Sequence, residues 1–523
     1  MTRLARFALA ACLTAGPACA AETPVRGGTA VFSLSQDPTM LTPSLSSNVP
    51  DRQIGCIIYQ GLIEVSPDYR ILPLLARAWT IAADGLTYSF DLVHAQWHDG
   101  QDFTSEDVKY SLLDVSAKYS SIFANAGKRI ASIDTPAPDK VVIHLKETFG
   151  PFLTSLGCIQ GGAILPAHLY RGTNVLTNST TTTTPVGTGG FKLAEWKRGD
   201  YLRLTRNDAY YEPGLPYLDE VIGKVIPQAT SRIQALQAGE VDMVQPPPLT
   251  DLPAVRADPK LKVVTSDNAP LSAIAFFNVT RKPLDDKRVR HALFMATDRD
   301  YLFKNAFFSI GHVGTMPITA DIGWAANPDI DYRRMYPFDP RRADALLDEA
   351  GYPRRSDGQR FTLHIAIFAT QYPEFQQVAL ALKSMWRTIG VDVVIDALED
   401  TTYLQRVDVD RDTDVSLVNY TSYSDPALGV SRTFVTNAIG KPYGNASGYS
   451  NPEVDRLFEA GERATDLAER GRLYRQVQAI LAEDLPVMQL RDYRDNAAAA
   501  KDLKGLWGVA QGNGHWVSAW LSP

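Results

Sequence analysis

At 523 residues the chain is too long for one ordinary core, so two or three lobes are expected. Hydrophobic residues make up 45% and charged residues 21%, the balance of a globular protein. The formal net charge is −7 with no basic block, which argues against nucleic acid as a partner.

The first twenty residues read as a secretory signal. Arg3 and Arg6 form the positive region, Phe7 to Ala15 the apolar region, and Ala18-Cys19-Ala20 the small residues before a cut at Ala21. The apolar run is far below the roughly 20 residues that span a bilayer. Leu9-Ala10-Ala11-Cys12 looks like a lipoprotein box, but it would leave a signal with almost no apolar region. Gly16 stands three places before Cys19, where a bulky aliphatic belongs. A free periplasmic protein is therefore expected over a lipid-anchored one. Removing Arg3 and Arg6 leaves 50 basic against 59 acidic residues, a net of −9. Of four cysteines, Cys56 and Cys158 remain, an even pair in an oxidising compartment. A disulfide and two buried thiols are both open readings.

Leu86, Tyr88, Phe90 and Leu92 alternate with polar residues, the period of a half-buried strand, and Val141, Ile143 and Leu145 repeat it. Between them Thr104 caps a helix with Val108, Leu112 and Val115 on its face, and Glu106 and Asp107 suit its positive end. His94 and His98 stand in strand-like sequence and are read as structural, not metal-binding. The threonine run at 180–184 reads as a flexible polar connection. Gly187-Thr188-Gly189-Gly190 lacks the lysine of a phosphate loop and opens a strand, so it reads as a turn.

Farther on, helices and strands alternate. Thr230 or Ser231 opens a helix that Gly239 stops before the strand around Val241 to Val244. Asp285 is expected to cap a helix with Val289, Ala292, Leu293 and Ala296 on one face. Asp339-Pro340 starts the next, and Gly351 ends it. Strands at 361–368 and 391–395 flank a helix that carries Phe375, Val378, Leu382, Met385 and Ile389 inward. This order implies a parallel sheet in an α/β lobe. Asn451-Pro452 begins a helix pair whose last member places Leu473, Val477, Ile480 and Leu481 inside. The segments 245–248 and 273–278 sit where one lobe could hand over to the next. No HExxH or GxSxG motif nominates an enzyme, and no tract calls for a metal or cofactor.

Several ordered blocks resemble the family 5 extracellular solute-binding proteins that serve peptide and nickel importers. They include Ala83-Asp84-Gly85-Leu86-Thr87-Tyr88-Ser89-Phe90, Trp97-His98-Asp99-Gly100, Pro185-Val186-Gly187-Thr188-Gly189-Gly190-Phe191 and Tyr449-Ser450-Asn451-Pro452-Glu453-Val454-Asp455. The resemblance implies an α/β, two-lobed periplasmic binding fold of type II with an extra α+β subdomain on the first lobe. Lobe one would combine 21–75, 186–275 and 485–523, the subdomain 76–185, and lobe two 276–484. It implies no enzyme but a monomeric receptor that hands a small solute to the permease of an ABC importer. An oligopeptide or peptide-like compound leads over an opine, an oligosaccharide, nickel or haem.

The leading pocket segment is Asn419-Tyr420-Thr421-Ser422-Tyr423-Ser424-Asp425-Pro426, after a strand expected at 415–418. Similar peptide-binding proteins carry here a tryptophan and an aspartate that holds the ligand's ammonium. The matching positions are Asn419 and Ser422, and both depart from that pattern. Asp425 is left as a carboxylate for an ammonium, or as a helix cap before Pro426. Tyr420 and Tyr423 offer faces for stacking, and Arg432 a partner for a ligand carboxylate. From lobe one, Asp37 lies in a loop that resembles one reaching the cleft. Gln371, after the strand ending at Phe368, completes the expected ligand-binding set.

Overall fold

The computed structural model describes residues 22–46, 48–66, 69–265, 270–369, 372–423, 425–437, 444–506 and 515–523. Two large sheets divide the chain. The first has seven strands in the order Leu261–Thr265, Asn496–Ala500, Met243–Val244, Thr29–Leu34, Glu220–Val225, Tyr201–Arg206 and Phe191–Lys197. The second has six: His312–Val313, Val487–Tyr493, Leu271–Phe277, Val415–Thr421, Phe361–Phe368 and Val391–Leu398. The chain passes from the first sheet to the second between Thr265 and Leu271, and returns between Tyr493 and Asn496. The expected borders at 275 and 485 therefore differ from the sheet crossings. Strand Leu271–Phe277 pairs along its length with Val415–Thr421, and Val487–Tyr493 pairs on its other side. The proline-rich 245–248 is not a crossing.

Local chemistry explains the elements. Asp339 accepts a hydrogen bond from Arg342 N at 2.9 Å and Pro340 opens the helix Pro340–Glu349. One helix starts a residue later than expected: Asp286, not Asp285, caps Lys287–Met295 by accepting from Arg288 N. Gly239, at φ 76°, ends the helix Ala229–Ala238 in the left-handed region that glycine enters freely. The pair Phe361–Phe368 and Val391–Leu398 is parallel, joined by the helix Glu374–Arg387. The second sheet is nonetheless mixed: its central strand Leu271–Phe277, entering from the other lobe, is antiparallel to both neighbours.

Each face of the second sheet carries its own core. One face packs Val289, Leu293, Leu347, Val378, Leu382 and Trp386 from three helices. The other packs Val454, Leu457, Phe458, Tyr474, Val477 and Leu481 from the helices Pro452–Arg463 and Leu467–Asp484. A separate antiparallel sheet of Ala76–Ile81, Thr87–Leu92, Lys140–Leu145 and Ile130–Ala137 has a third core around Phe90, Trp97, Val108 and Ile143. Its helix Ser105–Tyr110 begins with a capping box between Thr104 and Asp107.

Cys56 and Cys158 form a disulfide, which settles the alternative left by their spacing. The threonine run is not a loose connection. Ser179–Thr182 is a helical turn in which Thr181 is buried and donates to Val175 O at 2.6 Å. No helix among the described residues is long and apolar enough to cross a membrane.

Candidate ligand-binding cleft

At the C-terminal end of Val415–Thr421 the second sheet bears a small cleft. Ser272, Ile274, Thr319, Tyr420, Ser422 and Gln489 line it, with Gly429, Val430, Thr433 and Phe434 closing one side. Pairing explains this set: Ser272 stands opposite Tyr420 on one neighbour strand and Asp492 on the other. A bulge between Ala273 and Ile274 sets Gln489 opposite Ile274 and Arg491 opposite Ala273. Asp492 and Ser272 therefore meet on the cleft face, with a 2.6 Å hydrogen bond from Ser272 Oγ to Asp492 Oδ1. Arg491 turns to the opposite face and stacks on Tyr493 at 3.7 Å and Phe307 at 4.4 Å.

Tyr420 donates its hydroxyl to Gly444 O at 2.8 Å and meets Phe276 edge-on. The Arg432 guanidinium lies 4.9 Å from the Tyr420 ring centre and 5.3 Å from that of Tyr423, while Nε donates to Gly429 O at 3.1 Å. Tyr423 sits at φ 49°, turning the chain out of the strand. Ser422 is buried and its N–H donates to Pro270 O, tying this segment to the lobe crossing. A side chain at Gly429 would place Cβ 2.4 Å from Thr421 O, so only glycine lets this turn lie against the strand end.

Asp425 does not offer an open carboxylate. It caps the turn Pro426–Val430 by accepting from Ala427 N at 2.9 Å, and Arg470 clasps it with bonds of 2.8 and 2.7 Å. Both side chains are buried. Sequence showed Asp425 but not Arg470, which lies 45 residues on. Asp37 is likewise engaged within the first lobe, accepting from Trp196 Nε1 at 2.9 Å with Arg198 at 3.5 Å. Gln371 lies outside the described residues. Of the expected residues, Tyr420, Ser422, Tyr423 and Arg432 come together.

Ser272, Thr319, Gln489 and Asp492 were missed. A signal for two of them existed: Gln489, Arg491 and Asp492 interrupt an apolar strand that burial would otherwise keep uniform. Burial pushes the Asp492 carboxyl up to about 6, against the opposing pull of the Ser272 hydroxyl and of His312.

His98 serves the first lobe's glycine-rich turn. Its Nε2 bonds Gly189 O at 2.9 Å and its Nδ1 accepts from Gly187 N at 3.3 Å. Burial pushes it down to about 4, so the ring is neutral at pH 7. Among the described residues no group of three or more histidine, cysteine or acidic side chains could hold a metal.

Two lobes built on separate sheets, joined by two crossings and bearing a cleft beside them, define a periplasmic binding-protein architecture. Residues 70–441 match the family model described as bacterial extracellular solute-binding proteins, family 5 Middle. The chain belongs to that family, whose members are transport components and not enzymes. It is 29% identical over 518 residues to the glutathione-binding protein GsiB of Salmonella typhimurium, covering 96% of this chain and 95% of that one. Among solved structures it is similar to the periplasmic binding protein DppA of Helicobacter pylori in complex with peptide STSA. There the TM-score is 0.78 at 25% identity, over 95% of this chain and 99% of that one. NikZ of Campylobacter jejuni, in complex with Ni(L-His), gives a TM-score of 0.78 at 25% identity, covering 93% and 97%.

Proposed function

We propose that this chain is the periplasmic receptor of an ABC importer and that it takes a peptide-like solute, glutathione-sized or longer, into the cleft beside Tyr420. The observation that carries this reading is the composition of the cleft. Aromatic faces at Tyr420 and Phe434 meet polar groups at Ser272, Thr319, Ser422 and Gln489, with the Arg432 cation alongside. Such a surface suits a flexible chain of amides ending in a carboxylate. A micromolar dissociation constant requires about 8 kcal/mol, within reach of these contacts. Family membership and the full-length similarity to a glutathione-binding protein support the same reading. Binding between lobes would shift the population toward the closed form that the permease recognises.

The test is mass spectrometry of the solute released when the purified protein is denatured, with a thermal-shift screen of glutathione and the tetrapeptide STSA. A peptide-like mass is expected. Ligand at 100 times its dissociation constant should add about 2.7 kcal/mol of stability. Release of an opine, an oligosaccharide or a metal chelate would replace the ligand assignment, and turnover of the offered peptide would overturn the receptor role.

A further inference from the structure

We propose that Asp492 supplies the counter-charge for an amine-bearing end of the solute, at the floor of the cleft between Ser272, Thr319 and Gln489. The inference rests on the binding reading above and assigns its polarity.

The argument begins with the acceptors. Gln489 lines the cleft and is 3% exposed; its Nε2 is used on Pro317 O, while its Oε1 has no hydrogen-bond donor among the described residues. Asp492 is fully buried immediately behind Ser272, a cleft-lining residue, and what steadies its carboxylate is the hydroxyls of Ser272 and Thr319 and the field of His312, with no cation paired to it among the described residues. A buried carboxylate held only by hydroxyls, beside an amide oxygen without a donor on the same face, is costly unless a donor-rich group arrives. An ammonium brings three donors and no acceptor, which is the complement of that pair. The second part is elimination. The carboxylate nearest the strand end, Asp425, is neutralised by Arg470 and spent on a helix cap. The cation beside Tyr420 and Tyr423, Arg432, suits the opposite end of the same solute. A zwitterionic chain would therefore lie with its amine toward Asp492 and its carboxylate toward Arg432.

The groups facing Asp492 are Ser272, Thr319, His312 and Asp321, with Tyr332 in its field. Its carboxyl titrates at about 6, so part of the population is protonated near neutrality. An arriving cation favours the charged form, so binding must expel a proton and tighten as pH rises through that range.

The test uses the full mature protein with STSA and glutathione as probes, each also in N-acetylated form, by calorimetry near pH 6 in two buffers of different ionisation heat. Wild-type protein should prefer the free amine and release protons on binding. Asp492→Asn keeps the shape and the Ser272 contact. It should lose tenfold or more in affinity for the free-amine probes, bind the acetylated ones as before, and lose the proton release. Equal loss for free and acetylated probes, or no loss, overturns the assignment while leaving the receptor reading intact. Failure of wild-type protein to bind any of the four probes overturns both. Far-UV circular dichroism and melting of the variant separate misfolding from loss of charge; if the asparagine variant does not fold, the proton release of the wild type and its preference for the free amine decide the matter.

Discussion

A buried side chain's charge depends on what faces it, and Asp425, Glu64 and His515 show three outcomes. Asp425 is held by Arg470 in a two-pronged pair with both side chains buried. Removing one partner of such a pair leaves an unsatisfied charge, at a cost of about 3–5 kcal/mol. Asp425→Ala should lower stability by that amount in urea unfolding, and a coupled change to apolar residues at 425 and 470 should lose much less. Glu64 stands 3.5 Å from His515, and burial with the nearby Glu212 pushes its carboxyl from 4.5 up to about 8. The folded protein therefore holds that proton up to about pH 8, whereas an unfolded chain releases it above 4.5. Folding takes up a proton between these values, so this residue's contribution to stability falls as pH rises across the window. Glu64→Gln, which needs no proton, should gain on the wild type with increasing pH. At about 1.4 kcal/mol per unit, the gain near pH 7 is on the order of 3 kcal/mol. Urea titrations at pH 5, 7 and 8 check the slope; parallel curves would reject it. His515 works in the opposite direction: burial pushes it down to about 4, so the stability its neutral ring contributes is lost as pH falls below the ordinary 6.5.

At the scale of elements, the glycine-rich turn and the disulfide fasten the same helix. A side chain at Gly187 would come within 1.9 Å of Ile58 O, so this turn must be glycine to lie against the end of Val49–Ile58. Cys56, in that helix, is bonded to Cys158 across a separation of 102 residues. Closing a loop of about 100 residues restricts the unfolded chain by up to about 4.7 kcal/mol in the chain-entropy account. Replacing both cysteines by serine should cost about 2–4 kcal/mol in guanidinium unfolding and leave the cleft of the other lobe unaltered. Solute affinity is the control that must not move. Alternation and capping announced the strands Thr87–Leu92, Lys140–Leu145, Phe361–Phe368 and Val391–Leu398 and the helices Pro340–Glu349, Glu374–Arg387 and Pro452–Arg463, because their signals lie within one element. The exceptions are instructive. The Thr181 hydroxyl gains a buried partner only through Val175 and the fold around it. The antiparallel central strand could not be foreseen because its direction is set by the crossing that precedes it.

Across the whole molecule, the two halves also meet through charged side chains. Glu462, in the helix Pro452–Arg463, accepts from Arg129 at 2.6 Å and Asn125 at 2.8 Å, both in the helix Ala124–Arg129 beside the four-stranded sheet. Gly150 N donates to Glu462 O at 2.7 Å, and Arg463 reaches Glu147 at 3.4 Å. These bonds join the first lobe's extra sheet to the second lobe, so they would favour the closed arrangement of the two. A partly exposed pair of this kind is worth about 1 kcal/mol, or roughly fivefold in the open–closed equilibrium. Glu462→Gln should weaken solute binding by about that factor and raise the radius of gyration of the ligand-free protein in small-angle scattering. Unchanged scattering together with unchanged affinity would remove this contact from the closing mechanism.

The class was legible in the chain's order of residues. Local periodicity, caps and ordered blocks along the chain marked an α/β, two-lobed binding protein, since each of those signals is written over a few neighbouring residues. It also brought forward Tyr420, Ser422, Tyr423 and Arg432, all close to one strand end. Tertiary structure alone decided which charges are free to act. Arg470 reaches Asp425 from 45 residues away, and Ser272 reaches Asp492 from 220, so neither pairing leaves a trace in local spacing. A carboxylate's availability is a property of the partners that burial brings to it, and those partners are chosen by the packing of distant segments.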